Sequence, residues 1–117
     1  MLVTAVGNFD NTIDLSGVTP TDFTQPGFNT RLVAGDGNDL VIGSALDDTL
    51  EGGGGNDTLR GGLGDDSYEF GLYAPLGSDT LEELAGGGRD WLVFFSEVGG
   101  VTVDLGSTAA QAVHANL

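Results

Sequence analysis

An all-β chain wound as a flattened coil, two nine-residue units to the turn, is what this sequence predicts. Three observations carry the prediction. Between Ala34 and Glu69 the chain divides without slip into AGDGNDLVI, GSALDDTLE, GGGGNDTLR and GGLGDDSYE. Every unit has an aspartate at position six (Asp39, Asp48, Asp57, Asp66) and a large apolar or aromatic residue at position eight (Val41, Leu50, Leu59, Tyr68). Six turn-forming residues then alternate with three of β-compatible composition, which describes a tight loop feeding a very short strand.

Within each strand the middle residue points one way and its neighbours the other. Thr49-Leu50-Glu51 and Thr58-Leu59-Arg60 therefore send one leucine each to a common interior. With two units per turn, units one and three stack on one edge and units two and four on the other. Position five is always Asn or Asp (Asn38, Asp47, Asn56, Asp65).

The loops point to a hard cation. Glycine lets the backbone turn its carbonyls inward at angles that side chains disfavour. Calcium takes six to eight oxygen ligands and mixes carboxylates with backbone carbonyls. A glycine-rich loop ending in aspartate supplies both, and stacked copies face each other across a gap that one ion fills. The array is also strongly acidic, with Arg60 its only cation. Four apolar side chains bury too little surface to offset the ordering of so long a segment, so ion binding is expected to supply folding energy.

The pattern G-G-x-G-x-D-x-U-x, with U a large apolar residue, resembles the RTX, or haemolysin-type calcium-binding, repeat family. The close resemblance covers residues 34–69, with a looser one through residue 105. It implies a right-handed parallel β-roll, with calcium between loop n and loop n+2. Positions two, four and six of the first loop and positions one, three and six of the second contribute. Position six acts through its carboxylate and the others through carbonyls. Carried over, one site uses Gly35, Gly37 and Asp39 with Gly52, Gly54 and Asp57. A second uses Ser44, Leu46 and Asp48 with Gly61, Leu63 and Asp66. About two or more Ca2+ ions are thus expected. Ser44 and Leu46 replace glycines, and Leu46 is expected to need a strained left-handed angle.

After Glu69 the period breaks. A four-residue insertion restores a loop, Ala74-Pro75-Leu76-Gly77-Ser78-Asp79, followed by Thr80-Leu81-Glu82, and a partial copy runs from Ala85 to Asp90. Asp79 would join Gly53, Gly55 and Asp57 in a third site, and Asp90 would serve a later one. The alternative is that both open strands as turn residues.

The chain reads as one domain over 1–117: an N-terminal cap (1–33), the four regular units (34–69), and degenerate repeats with a C-terminal cap (70–117). Irregular β caps at both ends are expected, because an open strand edge invites aggregation. Trp91–Phe95 and the alternating Val101, Val103 and Leu105 form the second cap, with Trp91 and the phenylalanines in the core. Thr108–Ala115 is Ala-rich and reads as a helical turn or a tail.

Net charge is −15, with Arg31, Arg60 and Arg89 the only basic residues besides one histidine. Nucleic acid, anionic membranes and phosphate ligands are excluded as partners by that balance. Cysteine is absent, so there is no disulfide or thiolate zinc site. LVTAV near the start is too short for a signal-peptide core, and no segment is expected to insert into a membrane. The resemblance implies bacterial export by a one-step route without an N-terminal signal, hence an extracellular or cell-surface location. It also implies that the chain is part of a larger parent polypeptide.

No catalytic constellation is present, and the chain is not expected to be an enzyme. His114 is the only histidine and lies outside any H-E-x-x-H context. Register explains Asp47-Asp48 and Asp65-Asp66 better than acid–base chemistry, and Glu82-Glu83 reads as a solvated charge pair. Gly52–Gly55 has no following lysine for a phosphate loop. An EF-hand fails at Leu40 and Val41, where Asp or Asn and Gly are needed. The favoured function is a calcium-responsive structural module linked to secretion. The alternatives are an adhesin presenting a surface to a cell-wall or glycan ligand, or the non-catalytic C-terminal part of a secreted protease or lipase. An adhesin would favour a ladder of like side chains, and the position-seven row Thr49, Thr58, Ser67 is short.

Overall fold

The computed structural model describes residues 1–5, 7–22, 29–71, 77–83, 87–95, 100–102 and 111–116. Its strands are β1 (Leu2–Thr4), β2 (Thr12–Asp14), β3 (Thr30–Asp36), β4 (Leu40–Ile42), β5 (Asp48–Gly54) and β6 (Thr58–Arg60). They continue with β7 (Ser67–Phe70), β8 (Ser78–Leu81), β9 (Trp91–Phe94), β10 (Gly100–Thr102) and β11 (Gln111–Asn116). One 3-10 turn, Pro20–Asp22, follows β2. Odd-numbered strands β1-β3-β5-β7-β9 form one sheet, and β10-β11-β8-β6-β4-β2 form the other.

Successive strands alternate between the sheets, so the chain coils with two units to the turn. All pairings from β1 to β9 are parallel. Leu32 pairs with Leu50 and Leu50 with Tyr68 in one sheet, while Val41 pairs with Leu59 in the other. The result is a parallel β-roll.

Register follows from the interior. Val3, Leu32, Leu50, Tyr68 and Leu92 form one column, and Ile13, Val41, Leu59 and Leu81 the facing one. Leu32, Val41, Leu50 and Leu59 are completely shielded from solvent. Sliding any strand by one residue would expose its column and bury charge instead. The Tyr68 hydroxyl accepts the Gly61 N–H at 2.7 Å, so the one polar group in the column is satisfied.

The four-residue insertion is taken up between Phe70 and β8, where Thr58 pairs with Thr80 and Leu59 with Leu81. Beyond β8 the chain gains two further residues before β9 closes on β7, and Phe94 stacks on Phe70 at 5.3 Å between ring centres. Trp91 and Phe94, both expected in the core, stand exposed instead, Trp91 by half.

The N-terminal segment covers the open end by following the path of the coil. β1 lies on β3, β2 on β4, and Asn8 bridges to Asp36. Residues 7–14, GNFDNTID, thus stand in register with unit one: Asp10 occupies position five, Asn11 position six and Ile13 position eight. At the other end, Gln111–Asn116 is a strand, in place of the helical turn or tail expected there. It runs antiparallel to β8 and is flanked by β10. Thr108–Ala110, and Val103 and Leu105 of the expected cap strand, lie outside the described residues.

The register also splits the position-seven row. Thr49 and Ser67 belong to one sheet with Arg31, whereas Thr58 lies in the other with Leu40 and Thr80. No continuous Thr49-Thr58-Ser67 ladder forms.

Candidate metal centre

The loops stack in two files. One file holds the loops ending at Asn11, Asp39, Asp57 and Asp79, and the other those ending at Asp48, Asp66 and Asp90. The aspartates hold the loops together as well as lining them. Asp48 apart, each position-six carboxylate accepts the backbone N–H of the position-six residue one turn earlier: Asp39 from Asn11, Asp57 from Asp39, and Asp79 from Asp57, at 2.7–3.0 Å. In the second file Asp66 accepts from Asp48 and Asp90 from Asp66.

Position five runs a second ladder in the opposite sense. Its side-chain oxygen accepts the N–H of the position-five residue one turn later. Asn38 donates to Asp10, Asn56 to Asn38 and Ser78 to Asn56. Asp65 donates to Asp47 and Arg89 to Asp65. A carbonyl or carboxylate oxygen on a short side chain is needed there, which is why only Asn and Asp occupy position five of the regular units. That role was missed by the sequence reading, although the invariance of the position was visible.

Four of the aspartates keep one oxygen without a partner. Asp39 Oδ2, Asp57 Oδ2, Asp66 Oδ2 and Asp48 Oδ1 are buried with no hydrogen-bond partner. These residues are 0–3 % exposed. An uncompensated buried carboxylate oxygen is costly, and a cation compensates it. Asp57 Oδ2 lies against Gly52, and Asp66 Oδ2 against Gly61, so closely that a Cβ on either glycine would strike it. These are position-one glycines, folded under the aspartate of their own unit.

The remaining cradle is backbone. Gly53 (φ +111°) and Gly55 (φ +128°) receive the carbonyl oxygens of Gly35 and Gly37 where a Cβ would otherwise stand. Gly62 and Gly64 likewise receive the carbonyls of Ser44 and Leu46. The demand for glycine therefore falls on the receiving loop. Ser44 and Leu46 meet it as donors, and no non-glycine residue described has positive φ. The strain expected at Leu46 does not arise.

Of the residues expected to hold ions, Gly35, Gly37, Asp39, Gly52, Gly54 and Asp57 are brought into two adjacent turns of the first file. Gly53, Gly55, Asp57 and Asp79 lie in the next gap, with Asp79 buried. Ser44, Leu46, Asp48, Gly61, Leu63 and Asp66 face each other in the second file. Two of the carbonyls are already engaged: Gly54 O accepts Gly37 N–H at 2.8 Å and Ser44 O accepts Leu63 N–H at 3.3 Å. Each keeps a second lone pair. Asp48 is further held by the Ser44 backbone N–H and hydroxyl, both donating to Oδ2.

Burial dominates the electrostatics. It pushes Asp57 up to about 6, and Asp66 and Asp79 up to about 7, with neighbouring carboxylates adding to the rise and backbone N–H donors opposing it. On the outer face, Arg31 joins Glu51 at 2.6 Å and Glu69 at 2.5 Å across adjacent strands, and Arg60 pairs with Glu82.

The oxygens therefore fit a hard divalent ion: carboxylates and carbonyls without nitrogen or sulfur competitors, in a glycine-lined gap. The family model described as the RTX calcium-binding nonapeptide repeat, in 4 copies, matches residues 27–45 and 33–68. The match begins before Ala34, in keeping with Leu32 holding position eight and Thr30 position six of an earlier unit. No curated protein and no solved structure matches the chain significantly. The repeat array of this chain belongs to the RTX calcium-binding nonapeptide repeats, and it binds several Ca2+ ions shared among its units.

Proposed function

We propose that the chain is a structural module of a larger extracellular bacterial protein, exported by a one-step route and folded when it meets calcium outside the cell. Calcium is scarce in cytosol and abundant outside, so a coil needing it stays loose before export and sets afterwards. The carrying observation is the row of buried, unpartnered carboxylate oxygens on Asp39, Asp48, Asp57 and Asp66. Two buried like charges on adjacent turns of each loop file are costly until countercharge arrives.

In this reading Gly35, Gly37 and Asp39 hold one ion with Gly52, Gly54 and Asp57. Ser44, Leu46 and Asp48 hold another with Gly61, Leu63 and Asp66. A third sits between Gly53, Gly55 and Asp57 on one side and Asp79 on the other. The ions neutralise the orphaned oxygens and lock adjacent turns. The reading assigns no catalysis to this chain; any activity belongs to the parent polypeptide.

A calcium titration of the metal-stripped chain, followed by calorimetry and circular dichroism together, tests it. Heat release should coincide with gain of β-structure and saturate at more than one ion per chain. A spectrum indifferent to calcium would overturn the proposal.

A further inference from the structure

The outer side of the even-stranded sheet sets charge and apolar surface next to each other. In its register Asp14 aligns with Ile42 and Ile42 with Arg60, and Glu82 follows, its N–H donating to Leu59 O at 2.9 Å. All four hold position nine of their units, so they point away from the interior columns. Directly after them the chain bends into the second file of loops, and a cleft of about 530 Å³ opens along that bend.

Four successive turns line the cleft: Ser16 from the first, Ile42 and Ala45 from the second, Arg60 and Leu63 from the third, Glu82 and Glu83 from the fourth. Three strand spacings of about 4.8 Å give it a length of roughly 14 Å along the coil axis. Ile42, Ala45 and Leu63 form an apolar wall, and Leu63 is 48 % exposed. The polar groups are few and convergent. Arg60, the one cation of the regular units, gives its Nε to Glu82, and its terminal nitrogens have no partner among the described residues. Such a cleft has the size and the mixture of surfaces that small ligands occupy.

Charge narrows the class of ligand. One guanidinium stands beside two carboxylates. An anion would face Glu82 and Glu83, and a cation would face the open fork of Arg60. A neutral ligand rich in hydroxyls meets neither penalty. Its oxygens accept from the guanidinium, and its O–H groups donate to the carboxylates and to Ser16. The C–H faces of a pyranose ring match the apolar wall.

We propose that this cleft binds a short neutral oligosaccharide, with Arg60 and Glu82 taking its hydroxyls and Ile42 and Leu63 packing on its ring faces. The assignment goes beyond the structural role proposed above, since it gives the coil a ligand of its own on the side away from the interior columns.

The test is a saturation-transfer NMR titration of the full chain in saturating calcium. Cellotriose, maltotriose and tri-N-acetylchitotriose are the neutral probes, with trigalacturonate and the glucosamine trimer as anionic and cationic comparators. At least one neutral probe should saturate with a dissociation constant of about 10 mM or tighter. Arg60→Lys keeps the charge beside Glu82 and removes the fork, and should weaken that affinity about tenfold. Leu63→Ser keeps the backbone carbonyl and removes the wall, and should weaken it severalfold. Circular dichroism melts in calcium check that both variants retain the roll. The proposal is overturned if no neutral probe saturates in that range, if a charged trimer binds more tightly, or if either variant binds as well as the unmodified chain.

Discussion

The backbone N–H of Asp39 donates to Asp57 Oδ1 at 2.8 Å, so one carboxylate oxygen of Asp57 is committed to the preceding turn. The other, Oδ2, is buried against Gly52 without a partner. A single side chain therefore staples two turns and presents charge to the gap between them. Substitutions can separate these tasks.

Asp57→Asn keeps an oxygen for the Asp39 N–H and removes the charge. Calcium affinity should fall by at least about tenfold, roughly 1.4 kcal/mol, while the calcium-loaded fold persists. Asp57→Ala should remove both and also lower the melting temperature in saturating calcium. Calorimetry and thermal melts of the pair check this; equal melting losses would mean the staple contributes nothing.

Gly53→Ala should be severe. A Cβ there would strike Gly35 O, and the residue sits at φ +111°. Loss of about 1–3 kcal/mol from backbone strain alone is expected, before the clash is counted. Gly17→Ala is the matched control, because a Cβ at Gly17 meets nothing within 4 Å. Denaturant unfolding in saturating calcium should leave the control near wild type.

Protons should partly stand in for calcium. Asp57, Asp66 and Asp79 titrate near 6 to 7 in the folded, metal-free chain, against an ordinary value of 3.8. The folded state then binds more protons than the unfolded one between those values. Its stability is fully present below about 4 and is lost as pH rises through about 6 to 7. Metal-stripped protein should gain β-structure on acidification through that window, with calcium affinity falling over the same range. Circular dichroism and calcium titrations at stepped pH measure both trends.

Arg31→Met leaves Glu51, only 3 % exposed, without its cation. Destabilisation of about 1–3 kcal/mol is expected, less than for a fully buried pair because Arg31 is partly in water. Adding Glu51→Gln should recover part of it. A double-mutant cycle by thermal melting decides whether the pair is coupled.

Asn11→Asp should extend the array's ion binding toward the N-terminus. Asn11 Nδ2 donates to Phe9 O at 2.6 Å, so an amide hydrogen satisfies a carbonyl at the position that Gly37 and Gly55 fill in later turns. A carboxylate there would repel that carbonyl until a cation arrives. Calorimetry should show an additional ion and a more calcium-dependent fold.

Much of this was legible in the sequence, because the regular units report their own geometry. Period nine, position-six aspartates and position-eight apolar residues translate directly into an 18-residue register and two facing columns. Apart from the position-five ladder, what escaped lay where the repeat is degenerate. Residues 7–14 retain Asp10, Asn11 and Ile13 in phase, yet Phe9 and Asn11 replace the glycine and aspartate that mark the motif. Gln111–Asn116 is strand despite its alanines, since pairing with β8 overrides a local preference for helix. The glycine rule was legible in part, because a sequence shows which positions are glycine but not which neighbour's carbonyl makes them so.

The seating of Gly35 and Gly37 carbonyls on Gly53 and Gly55 involves backbone alone. The rise from one turn to the next is thus indifferent to which side chains decorate the outer faces. Variation can accumulate outward without disturbing the pitch, and whole turns can be gained or lost as cassettes of 18 residues. Such a coil behaves like a stack of identical washers, whose length is a free variable for the polypeptide that carries it.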